Sequence, residues 1–314
     1  MSRPFLKLLA ALVVVFAAVS LPAQDWAKAA LLKSPRHYEM VPIKHGDRTV
    51  EAFVVYPEVS HKAPVIVMIH EIFGLSDWAK LMADELAAQG YIVVAPDLLS
   101  GAGPNGGGTD SFAPADVNPA VSRLSADQVT ADLDAAADYG KKLPAANGKL
   151  FVAGFCWGGG KSFAFATHRH DLSAAFVFYG TPPPDVTAIT APVYGFYAGN
   201  DARITATVPA TTDAMKAAGK KYDPVIYDGA GHGFMRAGQA PDANDANKKA
   251  WDEGFKRMVS LLGSNSAASA RPAQKPARGG STPAKAAVAA VSCHDSTTAG
   301  DGEHGAMADM AAIM

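Results

Sequence analysis

Leu150-Phe151-Val152-Ala153-Gly154-Phe155-Cys156-Trp157-Gly158-Gly159-Gly160 decides how this chain folds. An apolar run of strand type leads into Gly-x-Cys-x-Gly, and a helix-compatible run, residues 162–167, follows. The spacing predicts a strand, a tight turn carrying Cys156, and a helix. Such a turn holds its central residue in a strained backbone conformation so that the side chain projects outward. The neighbours two residues away must then lack a Cβ, or strand and helix could not approach. Cys156 would stand at the helix N-terminus, where the macrodipole favours an anion such as a thiolate. A glycine-rich turn around a buried structural cysteine would read the same locally, so the flanking chain has to decide.

Working outward, residues 38–43 and 50–56 run or alternate apolar around the turn His45-Gly46-Asp47-Arg48, which predicts an antiparallel hairpin. Residues 65–69 and 91–95 are continuous apolar runs, expected of strands buried on both faces. Further strands are expected at 174–179, 193–197 and 223–227, and helices at 76–88, 125–142, 208–218 and 244–262. Residues 101–119, rich in glycine and proline, read as a long loop and a candidate active-site cover. Alternating strands and helices predict an α/β fold, a mostly parallel doubly wound sheet behind an antiparallel N-terminal hairpin.

In such sheets the chemistry gathers beyond the carboxyl ends of the strands. Three residues stand at such ends in the order Cys156, Asp201, His232. A thiol needs a base to become a nucleophile, and His232 can take its proton and later return it. An imidazole needs its tautomer fixed, which Asp201 can do through the other ring nitrogen. An oxyanion needs donors; Trp157, after the nucleophile, and Ile72, in the first strand–helix loop, offer backbone N–H groups. Singly, Asp201 reads equally as a turn residue, His232 as a loop histidine and Glu71 as a helix-entry charge. His70-Glu71 would open a zinc-protease motif only with histidine at 74, where glycine stands.

The strand–elbow–helix pattern is that of the α/β-hydrolases, with cysteine where serine usually sits. Taken together, Gly154-Phe155-Cys156-Trp157-Gly158-Gly159, Glu71-Ile72-Phe73-Gly74, Asn200-Asp201 and Ala230-Gly231-His232-Gly233-Phe234 resemble the dienelactone hydrolase (carboxymethylenebutenolidase) family over roughly residues 38–262. The resemblance implies a cysteine-dependent hydrolase that opens an unsaturated lactone to a dicarboxylate of the maleylacetate type, with no metal or cofactor. It also implies that Glu71 contacts the resting thiol and helps ionise it, and that Arg236 binds the substrate carboxylate. Arg123 is the candidate for a second family arginine. A broader-specificity carboxylesterase, and a non-catalytic binding protein on a hydrolase scaffold, remain the alternatives.

The 314 residues suit one large domain with appendages, and 49% hydrophobic against 18% charged residues supply a sizeable core. A net charge of −2 gives no footprint for nucleic acid. Two cysteines, Cys156 and Cys293, make neither a disulfide framework nor a cysteine-built zinc site. Arg3 and Lys7, the apolar run 8–19 and the small residues before position 23 read as a signal peptide over residues 1–23. That run is shorter than the roughly 20 residues a membrane span needs. The expected product is an exported, periplasmic or secreted enzyme domain over 31–262, a monomer with no stable membrane span, acting on a small lactone or ester. From 263 to 314, Ser, Ala, Pro, Lys and Gly dominate, which predicts a disordered tail.

Overall fold

The computed structural model describes residues 24–268. Eight strands, β1 (Tyr38–His45), β2 (Arg48–Val55), β3 (Ala63–Ile69), β4 (Ile92–Pro96), β5 (Ala146–Phe155), β6 (Leu172–Phe178), β7 (Val193–Ala198) and β8 (Tyr222–Tyr227), form one sheet. Their order is β1-β2-β4-β3-β5-β6-β7-β8. Strands β1 and β2 pair antiparallel, as do β2 and β4, and all other neighbours pair parallel. The hairpin closes on two residues, with His45 opposite Arg48 and Gly46 at φ +52°. Every residue of β3 and β4 is buried, which is why neither shows apolar–polar alternation.

Nine helices accompany the sheet among the described residues: α1 (Asp25–Leu31), α2 (Asp77–Ala88), α3 (Pro114–Ser122), α4 (Ala126–Lys142), α5 (Trp157–His168), α6 (Ala202–Thr205), α7 (Val208–Ala217), α8 (Phe234–Ala237) and α9 (Asp245–Ala268). Two apolar layers result. On one face Trp78 and Leu86 of α2 and Met258 and Leu262 of α9 join Phe151, Phe176 and Phe196. On the other, Val129 and Leu133 of α4, Phe163 of α5 and Met215 of α7 join Val65, Val67 and Val152. Ser76 and Ser125 cap α2 and α4 by accepting from Ala79 N and Gln128 N. The chain leaves β3 towards β4 on one side and later adds β5 on the other, so a crevice opens beyond the ends of β3 and β5.

Two expectations need correction. Residues 101–119 are not all loop: after two short 3₁₀ turns, α3 runs from Pro114 to Ser122. Pro114 opens α3 where its missing N–H costs nothing, and Pro119 is accommodated inside it. The segment is held down by Asp97, which accepts from Thr109 N at 2.7 Å and Thr109 Oγ1 at 2.7 Å. The closing helix also continues to Ala268, so residues 263–268 are helical rather than the start of a tail. Asn265 explains the extension: its Nδ2 donates to Leu261 O at 2.7 Å and to the Tyr194 hydroxyl at 3.0 Å. The proposed signal segment and the tail with Cys293 lie outside the described residues. No helix among the described residues is long and apolar enough to cross a membrane.

Candidate active site

The turn between β5 and α5 places Cys156 at φ +58° and ψ −118°, a conformation an L-residue enters only under constraint. The constraint is the close approach of backbones. A Cβ on Gly154 would lie 2.0 Å from Gly158 O, and one on Gly158 would lie 2.4 Å from His70 O. One on Gly159 would lie 2.3 Å from Phe178 O. Cys156 N donates to Phe178 O at 3.0 Å, which pins the turn to the end of β6. The thiol is thereby lifted above the sheet at the N-terminus of α5.

Across from it, His232 stands in the loop after β8 and Asp201 in the loop after β7. His232 Nε2 is 3.0 Å from Cys156 Sγ, and His232 Nδ1 is 2.5 Å from Asp201 Oδ2. The other oxygen of Asp201 accepts from Ile204 N at 3.4 Å and caps α6. Asn200 N donates to Ala230 O at 2.9 Å and ties the two loops together, while Gly231 N donates to Asn247 Oδ1 at 2.8 Å and ties the His232 loop to α9. The imidazole's pKa rises to about 9, because the bond to Cys156 and then Asp201 outweigh the effect of burial.

Glu71, after β3, is 2% exposed and accepts from Arg236 Nε at 2.7 Å. Burial pushes its carboxyl above the usual range, and Arg236 opposes that. The guanidinium also lies 4.9 Å over the Phe73 ring. The hydrogen bond of the thiol is thus to His232, and that of Glu71 is to Arg236. Tyr179, which the sequence reading passed over, sits between these groups. Its ring packs edge-on to His232 at 5.0 Å, and its buried phenol lies beside Glu71 and the Met235 backbone. Burial first, then Glu71 and Cys156, hold its pKa well above the ordinary value.

A cavity of about 500 Å³ opens over the thiol. Ile72, Cys156, Trp157, Tyr179 and His232 line it, together with Pro182-Pro183-Pro184 and Ile204. Trp157 is the first residue of α5, so its N–H has no intrahelical acceptor. Residues 101–124 do not line the cavity; Val117, Ala120 and Val121 of α3 pack beneath Ile72 and Trp157 instead. Arg123 caps the end of α3, exposed and away from the cavity lining. Arg236 is likewise absent from the lining. The cations that do line it are Lys161 and Arg203, which sequence reasoning missed. A signal existed: Trp157, Gly160, Lys161 and Ala164 share one face of a helix at i, i+3, i+4 and i+7.

Strand order, the strained elbow and its crevice define an α/β-hydrolase. More closely, the model of the dienelactone hydrolase family matches residues 50–266, and the chain belongs to that family. It is a hydrolase of carboxylic ester or lactone bonds. A Salmonella typhi protein named "Putative carboxymethylenebutenolidase" is 33% identical over 224 residues, covering 66% of this chain and 80% of its own. Its Escherichia coli K12 namesake is 31% identical over 211 residues, covering 62% and 75%. Among solved structures, a Klebsiella pneumoniae protein named "Putative Dienelactone Hydrolase" superposes with TM-score 0.63 at 25% identity, covering 73% of this chain and 98% of that one. A dienelactone hydrolase-like promiscuous phosphotriesterase from metagenomic libraries shares the fold, with TM-score 0.61 at 21% identity and the same coverage.

Proposed function

We propose that the protein is a cysteine-dependent hydrolase that opens a small unsaturated lactone of the dienelactone type, or a related anionic ester, through Cys156, His232 and Asp201. The observation that carries this reading is the imidazole placed 3.0 Å from a thiol and 2.5 Å from a carboxylate. His232 takes the thiol proton, and the sulfur attacks the carbonyl carbon. The tetrahedral oxyanion is received by the N–H groups of Ile72 and Trp157. As the C–O bond breaks, His232 delivers the proton to the leaving oxygen, leaving an acyl thioester on Cys156. A water then attacks, His232 accepts its proton, and the thiolate departs. Asp201 holds the imidazole in place and balances its charge. In this reading Glu71 and Arg236 form a charged pair behind Cys156 that positions the resting site. Hydrolysis of a dienelactone beside p-nitrophenyl esters, by wild type and Cys156→Ser, tests the reading. Turnover of the lactone that collapses in the variant supports it.

A second reading, a carboxylesterase of broader specificity, draws on the apolar walls of the cavity, Ile72, Pro182 to Pro184 and Ile204. Equal turnover of neutral and anionic esters, above that of the lactone, would favour it.

A further inference from the structure

The motif that would have made His70 a zinc ligand is incomplete, yet the residue is fully buried beside the elbow. A polar ring enclosed in the core needs a hydrogen bond to offset its lost hydration. His70 Nδ1 finds one in the carbonyl oxygen of the next residue, Glu71 O, at 2.7 Å. A carbonyl only accepts, so Nδ1 carries the proton. Burial, opposed by Asp97, lowers the ring's pKa below its ordinary value, and the imidazole stays neutral. Glu71 O takes a second bond from Gly74 N at 3.2 Å, which closes the turn 71–74 and engages both lone pairs. The peptide between Glu71 and Ile72 is thereby held by its oxygen. In a trans peptide, the C=O and the following N–H point in opposite directions. Fixing Glu71 O therefore fixes the N–H of Ile72, which has no acceptor of its own among the described residues. The same ring reaches the other donor. It stacks on the Trp157 indole, with centroids 5.7 Å apart and planes 11° from parallel. The backbone oxygen of His70 abuts the elbow, where a Cβ on Gly158 would lie 2.4 Å away.

We propose that His70 is a positioning residue of the oxyanion hole, aiming the Ile72 N–H through Glu71 O and bracing Trp157 through its ring. The proposal rests on the reading above in which Ile72 and Trp157 supply the oxyanion donors. His70 does not line the cavity, so it acts through those two residues rather than on substrate. Its bond to Glu71 O also polarises the peptide, which makes the Ile72 N–H a stronger donor. Formation and breakdown of the acyl thioester each pass through an oxyanion, so both steps depend on this alignment.

Two variants of the full-length protein separate the donor from the ring. His70→Phe keeps a ring against Trp157 and removes the N–H, whereas His70→Asn loses the ring and keeps an N–H donor. With p-nitrophenyl acetate, kcat should fall about thirtyfold in His70→Phe while KM stays within about twofold, and His70→Asn should recover most of that loss. Alkylation of Cys156 by iodoacetamide needs the thiolate but forms no oxyanion. Its rate, read by peptide mass, should stay within about twofold of wild type in His70→Phe, with the same pH profile, whereas a merely structural defect would lower both rates together. Butyraldehyde adds to the thiol and places a negative oxygen in the same hole. Its protection of Cys156 from iodoacetamide should weaken about tenfold in His70→Phe. An unchanged kcat in His70→Phe, an alkylation rate that falls as far as kcat, or undiminished aldehyde protection overturns the positioning role. If Cys156→Ala still hydrolyses the ester, the cysteine mechanism fails instead, and aldehyde protection, which needs no turnover, decides on His70 by itself. Should His70→Phe not fold, His70→Leu, which also lacks the donor, takes its place in each measurement.

Discussion

The two sides of the cavity are built differently. On the elbow side, Cys156 is placed by backbone against backbone: Gly154, Gly158 and Gly159 leave no room for a methyl group. On the facing side, His232 and Asp201 come from separate loops and are joined by a side-chain bond of 2.5 Å, and nearby Glu71, after β3, is joined to Arg236 of α8 by one of 2.7 Å. Steric placement tolerates no substitution but asks for no partner. Placement by charge tolerates changes of shape but fails when one partner is removed. The elbow therefore concentrates its information in one short motif, whereas the facing side spreads it over distant segments.

The largest effect expected from breaking this arrangement is on rate. Cys156→Ala and His232→Ala should each lower kcat/KM by about 10⁴-fold or more, with circular dichroism showing that the fold is retained. Retention of more than a few per cent of activity in both would remove the proposed mechanism. Next comes the buried pair. Arg236→Met should cost about 3–5 kcal/mol in denaturant unfolding, because Glu71 is left buried and unpaired. The double variant Glu71→Gln with Arg236→Met should recover much of that loss, which a purely steric defect would not. On the elbow side, Gly158→Ala should cost about 1–3 kcal/mol or more with no rescue by any side-chain partner, since the clash is with backbone oxygens.

The smallest effect separates the charge-built side by pH. The pKa of His232 in the folded protein, about 9, lies above its ordinary value of 6.5. A raised histidine contributes stability that is fully present below the unfolded pKa and is lost as pH rises through the folded one. Between about pH 6.5 and 9 the melting temperature should therefore decline, and the decline should be shallower in Cys156→Ala, which removes the main cause of the shift. A decline of equal slope in both proteins would show that the imidazole is not held by the sulfur.

Much of this was legible before any coordinates. Val65 to Ile69 and Val93 to Ala95 read as buried strands because nothing in them faces water. Cys156, Asp201 and His232 could be named because each follows a strand and carries chemistry a plain turn does not need. Less legible were α3, hidden by its prolines, and the last turn of α9, which depends on Asn265 reaching Tyr194 across the fold. Arg236 illustrates the harder limit, because Glu71 already engages it. A sequence shows that a residue is cationic but not whether its charge is already taken.

What the sequence by itself determined was the order of elements, the elbow and the candidates for the groups proposed to do acyl chemistry. Those follow from local sterics and from periodicity, which act along the chain. Only the tertiary structure decided that Glu71 binds Arg236, that α3 supports Ile72 and Trp157, and that Lys161 and Arg203 line the cavity. These outcomes depend on distances between segments far apart in the chain, and on competition among several possible partners for each charge.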